Sequence, residues 1–306
     1  MGVSSMKQGR IALAAALIGM SGAASAEAVR IAALRAPEAM GVAAARSIAI
    51  GRIGGNDGSR LGWALERSLA GRRVGGRPWF DLLGGRAGEA RADMILDGTA
   101  ITDVDEGRVT LKRRRCIEGP EDKCTKKGDV ELDCTRRRID VASDLRVVDG
   151  ESGRIGWGAR LTRSNEASWC PGESRPIGVE SQVDEMLRSI ADEATEKFAP
   201  DDWTGNVRFR EGRKGMDKDA AERFKAAIRL TQRDLPAACA EFAALPDHPS
   251  TLYNRALCAE AADDYAGAER GYAALAQSDD NGDIDDSLAR VRGTIAVRAL
   301  IAGRGR

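Results

Sequence analysis

The chain has 306 residues, and its 47 lysines and arginines are balanced by 47 aspartates and glutamates. A chain without a basic excess offers no case for a nucleic-acid binder, because such proteins neutralise phosphates with lysine and arginine. Aromatic residues make up only 4% of the sequence, so we expect alanine, leucine, isoleucine and valine to build most of the core.

The first 26 residues have the pattern of a cleavable export signal. Lys7 and Arg10 precede an apolar run, and Ala24 and Ala26 supply the small residues that cleavage requires. The run is about ten residues long, whereas a helix needs roughly twenty to cross a bilayer. No cysteine follows it, so we do not expect a lipoprotein. We therefore predict a periplasmic protein without an integral membrane segment after cleavage, with an uncleaved signal anchor as the alternative.

Residues 27–200 are predicted to form an α+β domain, a mainly antiparallel sheet with packed helices. The apolar runs at residues 29–34 and 47–53 are typical of strands. Leucines recurring at helical spacing predict a helix over residues 59–70, and a further short strand is predicted at residues 78–83.

The centre of this domain alternates apolar and polar residues. A strand is predicted at residues 93–98, and a turn at residues 105–107 leads into the next strand. Alternation over residues 138–147 resumes over residues 155–161, after a glycine-containing turn at residues 149–153. Two such runs joined by a turn predict an antiparallel hairpin.

An amphipathic helix is predicted to close the domain. Apolar residues from Val183 to Phe198 follow a 3.6-residue period, and Pro200 stops the helix. Residues 201–218 are rich in Gly, Asp and Lys and are predicted to be a linker. Beyond them the composition becomes alanine-rich and helical, so we predict a second, all-α domain over residues 219–301.

This second domain contains a repeated pattern. Two sets of three residues are separated by 30 positions, namely Leu235, Ala238 and Phe242 in the first set and Tyr265, Ala268 and Tyr272 in the second. The small alanine sits where two helices would approach closely. The pattern resembles the tetratricopeptide repeat, whose usual period is about 34 residues. A closing helix is predicted from residue 284, and an ordinary bundle of helical hairpins is the alternative.

Six cysteines in an exported chain predict disulfides. They are Cys116, Cys124, Cys134, Cys170, Cys239 and Cys258. A zinc site is the alternative, but no two cysteines have the C-x-x-C spacing that structural zinc sites favour, and there is one histidine.

Antiparallel register narrows the disulfide pairing without fixing it. Reflecting Cys134 through the turn at residue 152 reaches Cys170, and reflecting it through a loop centre near residue 125 reaches Cys116. We favour Cys116–Cys124 with Cys134–Cys170 over Cys116–Cys134 with Cys124–Cys170. The last two cysteines fall on neighbouring helices and are expected to form the third bridge.

Positive charge is concentrated around the predicted hairpin tip. The residues are Lys112, Arg113, Arg114, Arg115, Arg136, Arg137 and Arg138. They could form an anion patch for envelope polysaccharide or lipid, although acidic neighbours dilute the charge and a solvated surface is the default reading.

No catalytic constellation is found in the sequence. His248, the single histidine, lies beside a proline in a loop between predicted helices, so neither a Ser/His/Asp nor a Cys/His set is credible. We therefore predict that the protein is not an enzyme and needs no cofactor or metal.

The predicted α+β domain resembles the domain shared by CsgG, a curli-secretion lipoprotein, and LpoB, an activator of penicillin-binding proteins. The similarity rests on residues 46–50, on Gly98, and on residues 145–155, which look like the hairpin motif L-x-V-V-D-x-x-[ST]-G-x-I. The resemblance implies a non-catalytic envelope protein that binds other proteins. Two departures, the missing lipobox and the charged hairpin strands, argue against an outer-membrane anchor and a secretion pore. Repeats that bind partner segments would strengthen the adaptor interpretation.

Overall fold

The computed structural model describes residues 27–85, 91–279 and 281–304, so the predicted export signal lies outside the described residues. The strands are β1 (Ala28–Arg35), β2 (Ser47–Gly54), β3 (Arg73–Val74), β4 (Arg77–Pro78), β5 (Asp81–Leu83), β6 (Met94–Glu118), β7 (Lys126–Asp149), β8 (Ile155–Trp169) and β9 (Asp201–Arg208). The helices are α1 (Met40–Ala43), α2 (Gly58–Gly71), α3 (Val179–Phe198), α4 (Lys218–Leu230), α5 (Leu235–Ala244), α6 (Pro249–Ala261), α7 (Tyr265–Leu275) and α8 (Gly282–Gly303). The α+β class predicted from the sequence is confirmed.

The first half is built on a five-stranded sheet in the order β5-β2-β6-β7-β8. Strands β6, β7 and β8 are antiparallel, as predicted, whereas β2 runs parallel to both β5 and β6. Helices α2 and α3 cover one face of this sheet. The alternating residues of β7 place Ile139, Val141 and Val147 on that face, where they are buried. Trp157 of β8 meets Phe198 of α3 edge to face at 5.3 Å.

One turn predicted in this sheet is wrong. Strand β6 continues through residues 105–107, where the sequence Asp-Glu-Gly suggested a reversal of the chain. Asp105 and Glu106 instead lie opposite Arg138 and Arg137 of β7. Opposite charges across an antiparallel pair stabilise the pairing, so the acidic residues favour a long strand over a turn.

The predicted linker also differs from the structure. Residues 201–208 form β9, which pairs antiparallel with β1 along its whole length, from Ala28 opposite Arg208 to Arg35 opposite Asp201. We call this two-stranded sheet the ribbon. Its buried residues, Ile31 and Ala33, belong to the core of the helical half rather than to that of the five-stranded sheet. Strand β1 therefore packs with the helical half, although the five-stranded sheet follows it in the sequence.

The second half is a series of antiparallel helices from α4 to α8. Its core is rich in aromatic rings. The centre of the Phe242 ring lies 5.8 Å from that of Phe209 and 5.6 Å from that of Phe224. Asp217, Asp234 and Asp264 cap α4, α5 and α7, each accepting a hydrogen bond from a backbone amide of the first turn.

Helix α8 joins the two halves. Its first part buries Ile284 and Val291 in the helical core, and its last part buries Val297 against the sheet domain. Beyond its end, the Arg304 guanidinium lies 4.1 Å from the centre of the Trp79 ring and donates a 2.9 Å hydrogen bond to the Trp79 carbonyl oxygen. Because one rigid helix contributes to both cores, we expect the halves to unfold together.

Candidate binding surfaces

The long hairpin of β6 and β7 extends beyond the rest of the sheet. From Val109 opposite Cys134 outwards, β6 and β7 pair only with each other, and the tip is a short 3-10 turn at Glu121–Lys123. Cys116 lies opposite Lys127, whereas a loop centre at residue 125 would place it opposite Cys134, so the observed register differs from the predicted one by seven positions. The tip is closed by the Cys116–Cys124 disulfide.

All three favoured disulfides are present, since Cys134 is bonded to Cys170 and Cys239 to Cys258. Cys134 and Cys170 are both 2% exposed and lie side by side where β7 and β8 stop pairing. This bridge fixes the base of the hairpin to the edge strand. The Cys239–Cys258 bridge joins α5 to α6 and so links the two helical hairpins.

The two hairpin disulfides are expected to differ in their effect on stability. Replacing Cys134 and Cys170 with Ser should lower the free energy of unfolding by about 2–4 kcal/mol, because the bridge is buried and closes a long loop. The matched change, Cys116→Ser with Cys124→Ser, should cost less, because that bridge closes a short loop outside both cores. Urea unfolding followed by circular dichroism measures both, and equal losses would contradict this difference.

The predicted basic residues do not converge on one site. Arg113 and Arg115 both approach Glu173, at 3.4 Å and 3.0 Å, in the loop that follows β8. Lys112 faces Glu131 at 3.7 Å. Arg138 binds Asp140 at 2.7 Å, and their hydrogen bond raises the pKa of Arg138 and lowers that of Asp140.

The other three cations of this set are also separated from one another. Arg137 is buried and donates a 2.6 Å hydrogen bond to the carbonyl oxygen of Ile177, with its guanidinium over the Trp169 ring. Arg114 and Arg136 are exposed, and neither makes an ion pair with a residue that the structure describes. They lie on opposite faces of the hairpin, because successive side chains of a strand alternate. The tip is therefore a surface of mixed charge.

The repeated residues of the helical half lie in its core. Ala238, Phe242, Ala268 and Tyr272 are fully buried, Tyr265 is 6% exposed, and Leu235 packs at the margin. Gly271 packs so closely on α6 that an added methyl group would lie 2.8 Å from the Ala256 side chain. These residues hold the helices together, and their side chains are not a binding surface.

The ribbon covers one side of the helical array. Helices α6 and α8 both contact β1. Thr294 accepts a 3.0 Å hydrogen bond from the Leu34 amide, and Tyr265 donates one of 3.2 Å to the Ala32 carbonyl oxygen. A methyl group added at Gly293 would lie 3.1 Å from the Leu34 carbonyl oxygen. The ribbon thus occupies one side of the helical array.

A cleft of about 500 Å³ remains between the ribbon and α8. Its wall contains Arg290, whose guanidinium lies over the Trp203 ring at 5.4 Å. Arg290 also makes two hydrogen bonds, of 2.6 Å and 2.8 Å, to the carboxylate of Glu260, whose side chain is 0% exposed. Burial acts to lower the pKa of Arg290, but the hydrogen bonds that Arg290 donates to Glu260, together with the charge of that carboxylate, outweigh it, so the pKa is raised. This arginine is committed to a structural ion pair.

All three tyrosines of the chain have raised pKa values. Burial is the main cause for Tyr253, Tyr265 and Tyr272, and nearby carboxylates such as Glu260 and Asp263 add to it. The pKa of Tyr265 is raised to about 12. Each phenol is therefore expected to stay neutral in the folded protein where an unfolded tyrosine would ionise.

This arrangement predicts a loss of stability at alkaline pH. The stabilising contribution of these phenols is fully present below the unfolded pKa of about 10 and is lost as the pH rises through the folded values. Absorbance at the phenolate band should not rise near pH 10 while the circular dichroism signal of the folded state persists. A tyrosine that titrates at its ordinary pKa in the folded protein would contradict the burial.

A second groove, of about 630 Å³, lies between α4 and α5 at the free end of the helical array. Ala226 and Leu230 form its floor, and Arg223, Arg229 and Arg233 lie around it. We call this the α4–α5 groove. These residues were missed in the sequence, although Arg223, Ala226, Leu230 and Arg233 share one helical face by their spacing. Arginines on a predicted helix are read as solvated unless a second helix is known to lie beside them.

Metal and membrane sites were also considered in the part of the chain that the structure describes. No group of three or more His, Cys, Asp or Glu side chains in residues 27–85, 91–279 and 281–304 could hold a metal ion. No helix among the same residues is both long and apolar enough to cross a membrane.

Comparisons with known proteins add little to these observations. No family model matches the chain, and no curated protein matches it. A solved structure of the PelC dodecamer from Paraburkholderia phytofirmans is 14% identical, with a TM-score of 0.28, covering 56% of this chain and 99% of that one. A putative lipoprotein from Caulobacter crescentus CB15 is 16% identical, with a TM-score of 0.24, covering 52% and 87%. A putative neuraminyllactose-binding hemagglutinin homolog from Helicobacter pylori is 12% identical, with a TM-score of 0.25, covering 53% and 83%. Similarities this low carry no argument about function.

Proposed function

We propose that this protein is a non-catalytic scaffold or adaptor of the cell envelope, which binds other proteins through its helical half and its α+β domain. The observation that carries the proposal is the asymmetry of the helical array. One end is closed by α8, whereas α4 and α5 at the other end leave a groove with an apolar floor. Repeat proteins usually cover both ends with polar surface, so an open apolar end fits a partner.

The location proposed for this adaptor is the periplasm. The export signal predicted over residues 1–26 supports it, as do three disulfides, which persist in oxidising compartments. The resemblance of the sheet domain to CsgG and LpoB, and of the helices to tetratricopeptide repeats, supports a protein-binding role in the same compartment.

Affinity purification from envelope extract, after mild cross-linking, tests the proposal. We expect the folded protein to retain a protein partner in a fixed ratio, and we expect the variant with Arg114→Ser and Arg136→Ser to retain it equally. Among the seven basic residues predicted for the anion patch, these two exposed arginines make no ion pair with a residue that the structure describes.

The alternative function is binding of anionic polysaccharide or lipid through the hairpin tip. It would be favoured if no protein were retained, while polysaccharide or lipid co-purified with the unaltered protein and was lost with the two Ser substitutions. The ion pairs that already involve Lys112, Arg113 and Arg115 speak against this outcome.

A further inference from the structure

The α4–α5 groove combines an apolar floor with a basic rim. Leu230 is half-buried and packs against the edge of the helical core, and Ala226 beside it is exposed. Arg223, Arg229 and Arg233 are exposed at the margins. Large side chains on the rim and small ones on the floor form a depression along the helix pair.

The charge of this rim is largely uncompensated. Glu241 of α5 is the acidic residue in the lining, and it faces Arg223 at 3.4 Å with both side chains about half exposed. Such an exposed pair contributes little, on the order of 1 kcal/mol or less. Arg229 and Arg233 make no ion pair with any residue in the described ranges. The groove therefore presents an excess of positive charge around an apolar centre.

We propose that the α4–α5 groove docks an acidic amphipathic helix of a partner protein. A large apolar side chain of that helix would rest on Leu230 and Ala226, and carboxylates on its flanks would meet Arg229 and Arg233. This inference rests on the proposed adaptor function and specifies the partner's chemistry at this end of the array.

The chain itself supplies a precedent for a helix at this position. At the other end of the array, α8 lies against α7 as an added helix and buries Leu288 and Val291 there. An incoming helix would take the equivalent place on the α4–α5 hairpin, since side-chain ridges of one helix pack into the grooves of its neighbours. Nucleic acid or polysaccharide would use the arginines but would leave the apolar floor uncovered.

A synthetic peptide provides the probe. It is an amphipathic helix of about 18 residues, long enough to form in isolation, with leucines on one face and glutamates on both flanks. Binding to the full chain, measured by fluorescence anisotropy at low salt, should weaken on the order of tenfold or more when Arg229 and Arg233 are both changed to Glu, a change of about 1.4 kcal/mol or more. The matched control is Arg114→Glu with Arg136→Glu, which makes the same change of charge at the hairpin tip and should leave binding unaltered.

Two further peptides separate specific docking from general attraction of charge. A peptide with Lys in place of each Glu, and one with Ser in place of each Leu, should both bind at least tenfold more weakly than the parent peptide. The proposal is overturned if the Ser peptide binds as well as the parent, because the floor would then play no part. It is equally overturned if the groove and tip variants lose the same affinity, or if neither loses any.

Failure of the groove proposal can be distinguished from failure of the adaptor function. If envelope proteins are retained by the unaltered protein and also by the Arg229→Glu, Arg233→Glu variant, the adaptor stands and the groove is not its docking site. If no protein is retained at all, the adaptor function fails. Circular dichroism of the variant confirms that it is folded, which its exposed positions lead us to expect.

Discussion

Changing Glu260 to Gln is expected to lower the free energy of unfolding by about 3–5 kcal/mol, because it leaves the buried guanidinium of Arg290 without its counter-charge. The Glu260 carboxylate is fully buried and accepts hydrogen bonds from Arg290 and from the Tyr272 hydroxyl. An amide in its place retains the shape but not the charge. The shift of the urea unfolding midpoint, followed by circular dichroism, measures the loss.

A matched control exists in a second ion pair that also involves α8. Glu269 of α7 pairs with Arg292 of α8 at 2.9 Å, but both side chains are exposed. Its change to Gln should cost less than about 1 kcal/mol, as surface ion pairs do. Adding Arg290→Met to the Glu260 variant should recover part of the loss, because no unpaired charge would remain. Equal effects at Glu260 and Glu269 would show that the first pair is not buried.

Replacing Trp79 with Ala should also cost about 3–5 kcal/mol, the usual range for emptying a large aromatic site in a core. Trp79 is 1% exposed, and its indole nitrogen donates a 3.1 Å hydrogen bond to the Ala43 carbonyl oxygen. Its ring also supports Arg304, so the same change removes the contact that fixes the end of α8 to the sheet domain.

The control for this change is Trp63→Ala on α2. Trp63 is 68% exposed, and removing its ring should alter stability by no more than about 0.5 kcal/mol. Thermal unfolding of both variants shows the difference in the transition temperature. If the Trp79→Ala variant unfolded in two separate steps, with the sheet domain lost first, the two halves would be less strongly joined than the packing of α8 into both cores indicates.

The spacing of apolar residues predicted many of the strands and helices, because it depends on the geometry of each element alone. The alternation over residues 138–161 and the helical period ending at Phe198 each describe an element that buries one face, and both are found where expected. The Cys134–Cys170 disulfide followed from register and Cys239–Cys258 from neighbouring helices, whereas Cys116–Cys124 was favoured although the register predicted for Cys116 was wrong. The aromatic and alanine positions of the repeat correctly marked helix contacts, although this made them core residues rather than binding residues.

Long-range pairing could not be predicted in the same way. Strand β1 precedes the five-stranded sheet in the sequence and β9 follows it, and the residues of neither strand indicate which strand it pairs with. The apolar residues Trp203 and Val207 alternate in β9, but the surrounding aspartates and glycine read as a connection. Nothing in the sequence distinguishes Glu260 from an exposed helical glutamate, because the residues that surround its carboxylate, Tyr272 and Arg290, belong to two other helices.

The ribbon closes one side of the helical array and leaves the α4–α5 groove as its open surface. Hydrogen exchange of the native protein, measured by mass spectrometry on peptides from β1 and β9, tests this most directly. We expect the amides of β1 and β9 that face the partner strand to exchange as slowly as those of α6 and α7, because they are paired within the ribbon, which packs on the helical core. Fast exchange across Ala28–Arg35 while α6 and α7 stay protected would contradict the account, since the side covered by the ribbon would then be open to a partner.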